Sequence, residues 1–259
     1  MTGTGPSRRQ LILGSGALCL LAGAAGAVRP RLSGSVPHAD LPRRVERLGV
    51  SHGPTDAPVV ALTFDDGPDP AFTPAILDIL DDSGIRATFF MIGRAMAQHP
   101  TLVAEVVRRG HVVANHTQDH LWLTHSDATE VRSQMQACAD TMAGLGLAPT
   151  RFFRPPRGLT SPVVEDVVTS MGSQSYFWGT CLEANLSHHG VVAAAALTAM
   201  RAVPGSIILC HDGGHLDGPN PQSIDRSRTV EALPGLISFV LARQLRFVTL
   251  PQLFPHRAL

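Results

Sequence analysis

A chain of 259 residues with 21 basic and 21 acidic side chains carries no net charge at neutral pH. That balance leaves no electrostatic footprint for nucleic acid, and the length could hold one large α/β domain or two small ones. All the basic charge apart from histidine is arginine, a compositional bias from which no function follows.

The N-terminus reads differently from the rest. In "SRRQLILGSGALCLLAGAAGAVRP" paired arginines precede an apolar run that ends in Ala25-Gly26-Ala27, the layout of an export signal with an A-x-A cleavage site. Ser7-Arg8-Arg9-Gln10-Leu11 also resembles a twin-arginine signal. Residues 1–27 are therefore read as an export signal of twin-arginine type, which predicts an extracellular or cell-wall location. Retention as a membrane anchor is the alternative, and the short, Gly-interrupted run argues against it. Cys19 goes with the signal, leaving Cys138, Cys181 and Cys210 with no C-x-x-C pair. A disulfide framework and a cysteine zinc site are not expected, and a single bridge stays open. Residues 28–57, rich in Pro, Gly, Arg and Ser, read as a linker or N-terminal arm, and residues 58–259 as the working domain.

From Pro58 onward, short apolar runs alternate with stretches of helical period. The expected strands are Val59–Phe64, Ala87–Ile92, His111–Asn115, Arg151–Arg154, Gln174–Trp178, Ser206–Leu209 and Arg246–Leu250. The expected helices are Thr73–Ser83, Thr101–Arg109, Asp127–Gly144, Ser161–Met171, Val191–Ala202 and Thr229–Arg243. This alternation predicts a parallel sheet covered by helices, and seven strands in one run favour a barrel over an open sheet. In such folds function gathers where strands end. The first strand ends in Asp65-Asp66, the third in "NHTQDH", the fourth in "FFRPPRG" and the sixth in "CHDGG".

His116 and His120 are four apart, a spacing that lets two imidazoles reach one ion. A zincin would need glutamate directly after the first histidine, where Thr117 stands. The doublet Asp65-Asp66 offers one carboxylate as a third ligand and leaves the other free; alone it would read as a turn or capping pair before Gly67-Pro68. Arg154 is suited to orient a carboxylate and keep it ionised. His211 is a candidate general acid.

Together these residues resemble the polysaccharide deacetylases, the NodB-homology domains of carbohydrate esterase family 4. The motif T-F-D-D-G-P stands complete as Thr63 to Pro68, and H-[ST]-x-x-H as His116-Thr117-Gln118-Asp119-His120. An R-P-P-Y-G type motif appears as Arg154-Pro155-Pro156-Arg157-Gly158, and L-x-H with a following Asp as Leu209-Cys210-His211-Asp212. "RTVEALPGLI" and "RFVTLPQL" resemble the family's last helix and strand, so the likeness runs from about Pro58 to Leu253. It implies a distorted (β/α)7 barrel in a single catalytic domain, a divalent metal, Zn2+ first with Co2+ or Ni2+ as alternatives, and hydrolysis of sugar acetyl groups. By position, Asp66, His116 and His120 would hold the metal, and Asp65 would be the base, held by Arg154. The backbone N–H of Arg157 would stabilise the oxyanion, and His211 would protonate the leaving amine. Pro155, Arg157 and Trp178 fall at the oxyanion and substrate-binding positions.

Two departures stand out. Arg157 occupies the place of a tyrosine, which removes an aromatic wall of the sugar groove. The fifth strand's Asp-Trp pair is missing, since "FWGTCLEANL" aligns Trp178 but gives Ala184-Asn185. That aspartate partners the acid histidine in the family; Glu183 is the expected replacement, with Asp212 the other candidate.

The leading expectation is an exported, monomeric N-deacetylase acting on N-acetylglucosamine polymers such as chitin oligomers or peptidoglycan, with a membrane partner only if the signal is retained. An O-acetyl esterase on acetylated xylan is a close variant, because an alkoxide leaves with less help from an acid. A degenerate, non-catalytic glycan-binding protein and, more remotely, a two-histidine, one-carboxylate iron oxygenase are the other readings. No G-x-S-x-G elbow supports a serine hydrolase.

Overall fold

The computed structural model describes residues 49–214 and 224–255. The expected export signal and most of the expected N-terminal arm lie outside these residues. Among the described residues eight strands and nine α-helices alternate as an α/β fold. β1 (Val59–Asp65) is followed by α1 (Thr73–Asp82), β2 (Thr88–Met91), α2 (Gly93–Gln98), α3 (Pro100–Arg108) and β3 (Val112–Asn115). Then come α4 (Ala128–Gly144), β4 (Phe152–Phe153), α5 (Pro162–Ser170), β5 (Gln174–Ser175), β6 (Thr180–Cys181), α6 (Leu182–Leu186) and α7 (Val191–Arg201). β7 (Ile207–His211), α8 (Ser227–Ala242), β8 (Arg246–Val248) and α9 (Leu250–Leu253) complete the order.

All strand pairs are parallel, in the order β5-β4-β3-β2-β1-β7-β6. β7 pairs with β1 along Ala61–Asp65, so β8 at Val59–Ala61 and β2 at Thr63–Asp65 share the other edge of β1. That handover of one edge between two strands curves the sheet into a distorted, incompletely closed barrel. In the gap between β5 and β6, Val50 bridges to Tyr176 and His52 to Ser206. Gly49–Ala57, the end of the expected arm, thus includes residues laid on the barrel.

Seven strands were expected and eight are found. The predicted fifth strand, Gln174–Trp178, stops at Ser175, and the chain resumes as β6 beside β7 at Ile208–Leu209. The predicted last strand ends at Val248, because Thr249 and Gln252 form a reciprocal capping box that starts α9. α2 and α6 were not anticipated. Helix starts elsewhere follow local chemistry: Asp127 accepts from Glu130 N–H at 2.9 Å and Ser161 from Val164 N–H at 3.3 Å.

β1 is almost wholly buried, as suits a strand covered on both faces. Successive side chains point to opposite faces. Val60, Leu62 and Phe64 accordingly pack with helix residues such as Ile76, Leu80, Leu233 and Leu236, while Ala61 joins Phe90, Ala114, Tyr176, Trp178 and Leu209 on the other side. The same alternation carries Thr63 and Asp65 to the Ala61 face. The register pairs Asp65 with His211, so the first and seventh strands end level with each other.

Candidate active site

The strand ends converge. Asp66 Oδ1 lies 3.3 Å from His116 Nε2 and 3.2 Å from His120 Nε2, and these three ligand atoms lie within 4.8 Å of one another. All three residues are buried. His116 Nδ1 is 2.7 Å from the Arg154 carbonyl oxygen, which only accepts, so Nδ1 carries the proton and Nε2 presents its lone pair to Asp66. Asp66 Oδ1 is buried with no hydrogen bond. A carboxylate oxygen facing the His116 lone pair is unsatisfied unless a cation or a proton lies between them, and an Asp-His-His donor set with open positions suits a divalent metal. With the imidazoles protonated instead, burial still disfavours the charged form of Asp66, but His120, His116 and His211 together hold its carboxyl well below the usual range.

Asp65 remains outside this triad. Its Oδ1 accepts from Arg154 Nη1 at 2.6 Å, and its Oδ2 lies 3.8 Å from His116 Nε2. Arg154 is fully buried, and it also donates to Thr63 Oγ1 at 3.0 Å and to the carbonyls of Tyr176 at 2.8 Å and Phe177 at 3.1 Å. The guanidinium also stacks 4.1 Å over the Phe90 ring. One oxygen of Asp65 is thus pinned and the other faces the triad.

His211 closes the opposite side, with Nε2 4.0 Å from Asp66 Oδ2 and Nδ1 3.1 Å from Glu183 Oε2. The latter is an ion-pair contact rather than a well-aligned hydrogen bond. Glu183 itself is fixed, its Oε1 accepting from His211 N–H at 2.9 Å and from Thr229 Oγ1 at 2.8 Å. Burial opposes the charge of Glu183, but His211 and then Arg226 and Thr229 hold its carboxyl down to about 2. Burial likewise depresses His211, and Glu183 more than offsets it, so the imidazole sits above its ordinary value. Asp212, the other expected partner, turns elsewhere: its Oδ2 accepts from Thr73 Oγ1 at 2.7 Å, and burial pushes its carboxyl up to about 7. The residue after a strand's final side chain points to the other face, so Asp212 does not reach the imidazole.

The Arg154–Gly158 turn wraps the site. Pro155 and Pro156 are buried, and Arg157 has φ 61°. Gly158 needs its missing side chain, since φ is +63° and a Cβ would collide with buried Trp178. Trp178 thus lies under this turn. Arg157 Nη1 donates to the His120 carbonyl at 3.2 Å, and its guanidinium lies 4.1 Å from the ring of half-exposed Trp122. An arginine packed on an aromatic stands where the resemblance expects a tyrosine. Five non-glycine residues among those described have positive φ, and four of them, Asp66, Thr117, His120 and Arg157, belong to this site. Backbone strain collected at one place marks a functional centre.

Sequence reasoning missed three contributors. Thr63, quoted only as part of a motif, accepts from Arg154 and donates to the Ile208 carbonyl at 2.9 Å. Thr229 and Arg226 come from the start of α8, and Arg226 Nη2 lies 3.5 Å from Asp66 Oδ2. The polar "DRSRT" at the head of an apolar helix was the available signal.

A parallel α/β barrel with an Asp-His-His ligand cluster, a spare carboxylate and an imidazole across from it defines a hydrolytic site. The polysaccharide deacetylase family profile matches residues 52–176. A peptidoglycan-N-acetylglucosamine deacetylase of Bacillus cereus is 32% identical over 205 residues, 79% of this chain and 92% of that protein. A chitooligosaccharide deacetylase of Sinorhizobium fredii is 36% identical over 215 residues, covering 82% and 97%. The crystal structure of a peptidoglycan N-acetylglucosamine deacetylase superposes with a TM-score of 0.73 at 30% identity, over 82% of this chain and 96% of that one. The chain belongs to the polysaccharide deacetylase family and is a hydrolase of acetylated polysaccharide.

Proposed function

We propose that this protein removes N-acetyl groups from N-acetylglucosamine-containing glycans, chitin oligomers or peptidoglycan, with Asp65 as general base. The observation that carries the reading is the pairing of a cation-suited triad, Asp66, His116 and His120, with a second carboxylate beside it, held by Arg154 at 2.6 Å. A divalent cation there, Zn2+ first and Co2+ or Ni2+ as alternatives, would polarise the acetyl carbonyl and acidify a water.

Asp65 Oδ2 takes the proton of the attacking water, and Arg154 keeps that oxygen aimed at it. The backbone N–H of Arg157 donates to the oxyanion that develops on the carbonyl. His211, charged with help from Glu183, gives its proton to the departing amine. An amine leaves only when protonated. The contact with Glu183 therefore favours the amide reading over the xylan ester, which drew support from a weakened acid.

We further propose export by the twin-arginine route and action outside the cytoplasm; the support is Ser7–Leu11 and the A-x-A site at Ala25–Ala27. Acetate release from N-acetylglucosamine tetramer and from acetylated xylan, measured in parallel, tests the substrate. The expected result is faster release from the tetramer. Release from xylan alone would replace the amide reading with the ester one, and tight glycan binding without release would support a binding protein.

A further inference from the structure

The two oxygens of Asp66 have different neighbours. Oδ1 faces His116 and His120, whereas Oδ2 faces Arg226 Nη2 at 3.5 Å and His211 Nε2 at 4.0 Å. Arg226 is mostly buried, and the Nε of the same guanidinium donates to the Gly213 carbonyl at 2.7 Å. Gly213 in turn touches Asp66 directly, for a Cβ on it would lie 2.5 Å from the Asp66 carbonyl oxygen. The guanidinium is thus fixed to the backbone that surrounds the carboxylate it faces. It is also separate from the Arg154 system, whose donors go to Asp65, Thr63 and two carbonyls.

We infer that Arg226 is a positioning residue that occupies the outer oxygen of Asp66, so that this aspartate offers the metal one oxygen and leaves a coordination position open for chemistry. The inference rests on the reading of Asp66 as a metal ligand. A carboxylate with both oxygens available can chelate a cation, and chelation fills a position that water and the acetyl oxygen need. A cationic donor at Oδ2 competes for that oxygen. It also repels the incoming ion, so the device trades metal affinity for reactivity.

This trade gives a signature that structural damage does not share. Removing Arg226 should tighten metal binding while slowing turnover; a loosened fold would weaken both. The experiment is zinc titration of apo wild type, Arg226→Gln, Arg226→Lys and Asp66→Ala against a chromophoric chelator. It is paired with kcat on N-acetylglucosamine tetramer at saturating zinc. The expected result for Arg226→Gln is a zinc Kd at least about threefold lower with kcat reduced about 10- to 100-fold. Arg226→Lys, which keeps the charge, should lie nearer wild type in both. Zinc bound equally or less tightly by Arg226→Gln would overturn the inference. Wild type that binds no more zinc than Asp66→Ala would instead overturn the metal reading beneath it.

Discussion

Replacing Glu183 by glutamine keeps its shape and removes the charge that faces His211 at 3.1 Å. The amide can still accept from His211 N–H and Thr229 Oγ1, so α6 and β7 should stay in place. Burial alone lowers the imidazole's affinity for a proton, and Glu183 is the main group that restores it. An opposite charge in contact is worth roughly 1–3 pKa units, each about 1.36 kcal/mol. With His211 as the proposed acid, the alkaline limb of the kcat profile on N-acetylglucosamine tetramer should move to lower pH. Above the wild-type limb the rate should fall about tenfold or more. An O-acetyl substrate, whose alkoxide departs with less help, should lose less. Stability moves as well. The depressed Glu183 contributes fully above the ordinary carboxylate value of 4.5 and loses its contribution as pH falls towards about 2. The raised His211 contributes fully below 6.5 and loses its contribution as pH climbs through its folded value. Wild type minus Glu183→Gln should therefore show a stability difference greatest between those limits. An unchanged rate, pH profile and stability curve would refute the pairing.

Arg154→Leu leaves Asp65 buried beside carbonyls that have lost their donor, so unfolding in denaturant should show a loss of about 3–5 kcal/mol; a loss below ~1 kcal/mol would mean that Asp65 is held by something else. Gly158→Ala must fit a Cβ at φ +63° against Trp178, and should cost about 1–3 kcal/mol together with most of the activity. A normal melting temperature and rate would show that the turn tolerates rearrangement. His111 is buried far in sequence from the proposed acid and base, accepts from Ala87 N–H at 3.1 Å, and is lowered to about 4 by burial and Arg86. Its depressed value makes stability full above 6.5 and declining as pH falls towards 4, so His111→Gln should flatten that limb of the melting curve against pH.

The site was legible where one strand end held its chemistry in consecutive residues. Asp65 ends the seven-residue strand β1 and Asp66 follows it, and His116 and His120 share one turn after β3, so adjacency in sequence stood for adjacency in space. Glu183 was harder, because β6 is two residues long and periodicity needs more than that to declare a strand. Its role was inferred from a missing pair, and only the α6 turn shows how it reaches His211. Arg226 lies 160 residues from Asp66, a contact that no local pattern can encode. The positive φ of Asp66, Thr117, His120 and Arg157 was equally hidden, since none is glycine and tertiary packing imposes the conformation. α2 was missed because Pro100 drew the helix start to α3, and α9 because its Thr-x-x-Gln box was read through as strand.

The central claim is a division of labour between adjacent aspartates: Asp66 holds the metal and Asp65 moves the proton. Zinc stoichiometry and acetate release from N-acetylglucosamine tetramer, measured together for wild type, Asp65→Ala and Asp66→Ala, test it most directly. Asp65→Ala should bind zinc as wild type does and release acetate about 10²- to 10⁴-fold more slowly, while Asp66→Ala should lose both. Asp65→Ala with wild-type turnover, or with zinc lost as completely as in Asp66→Ala, would contradict the account.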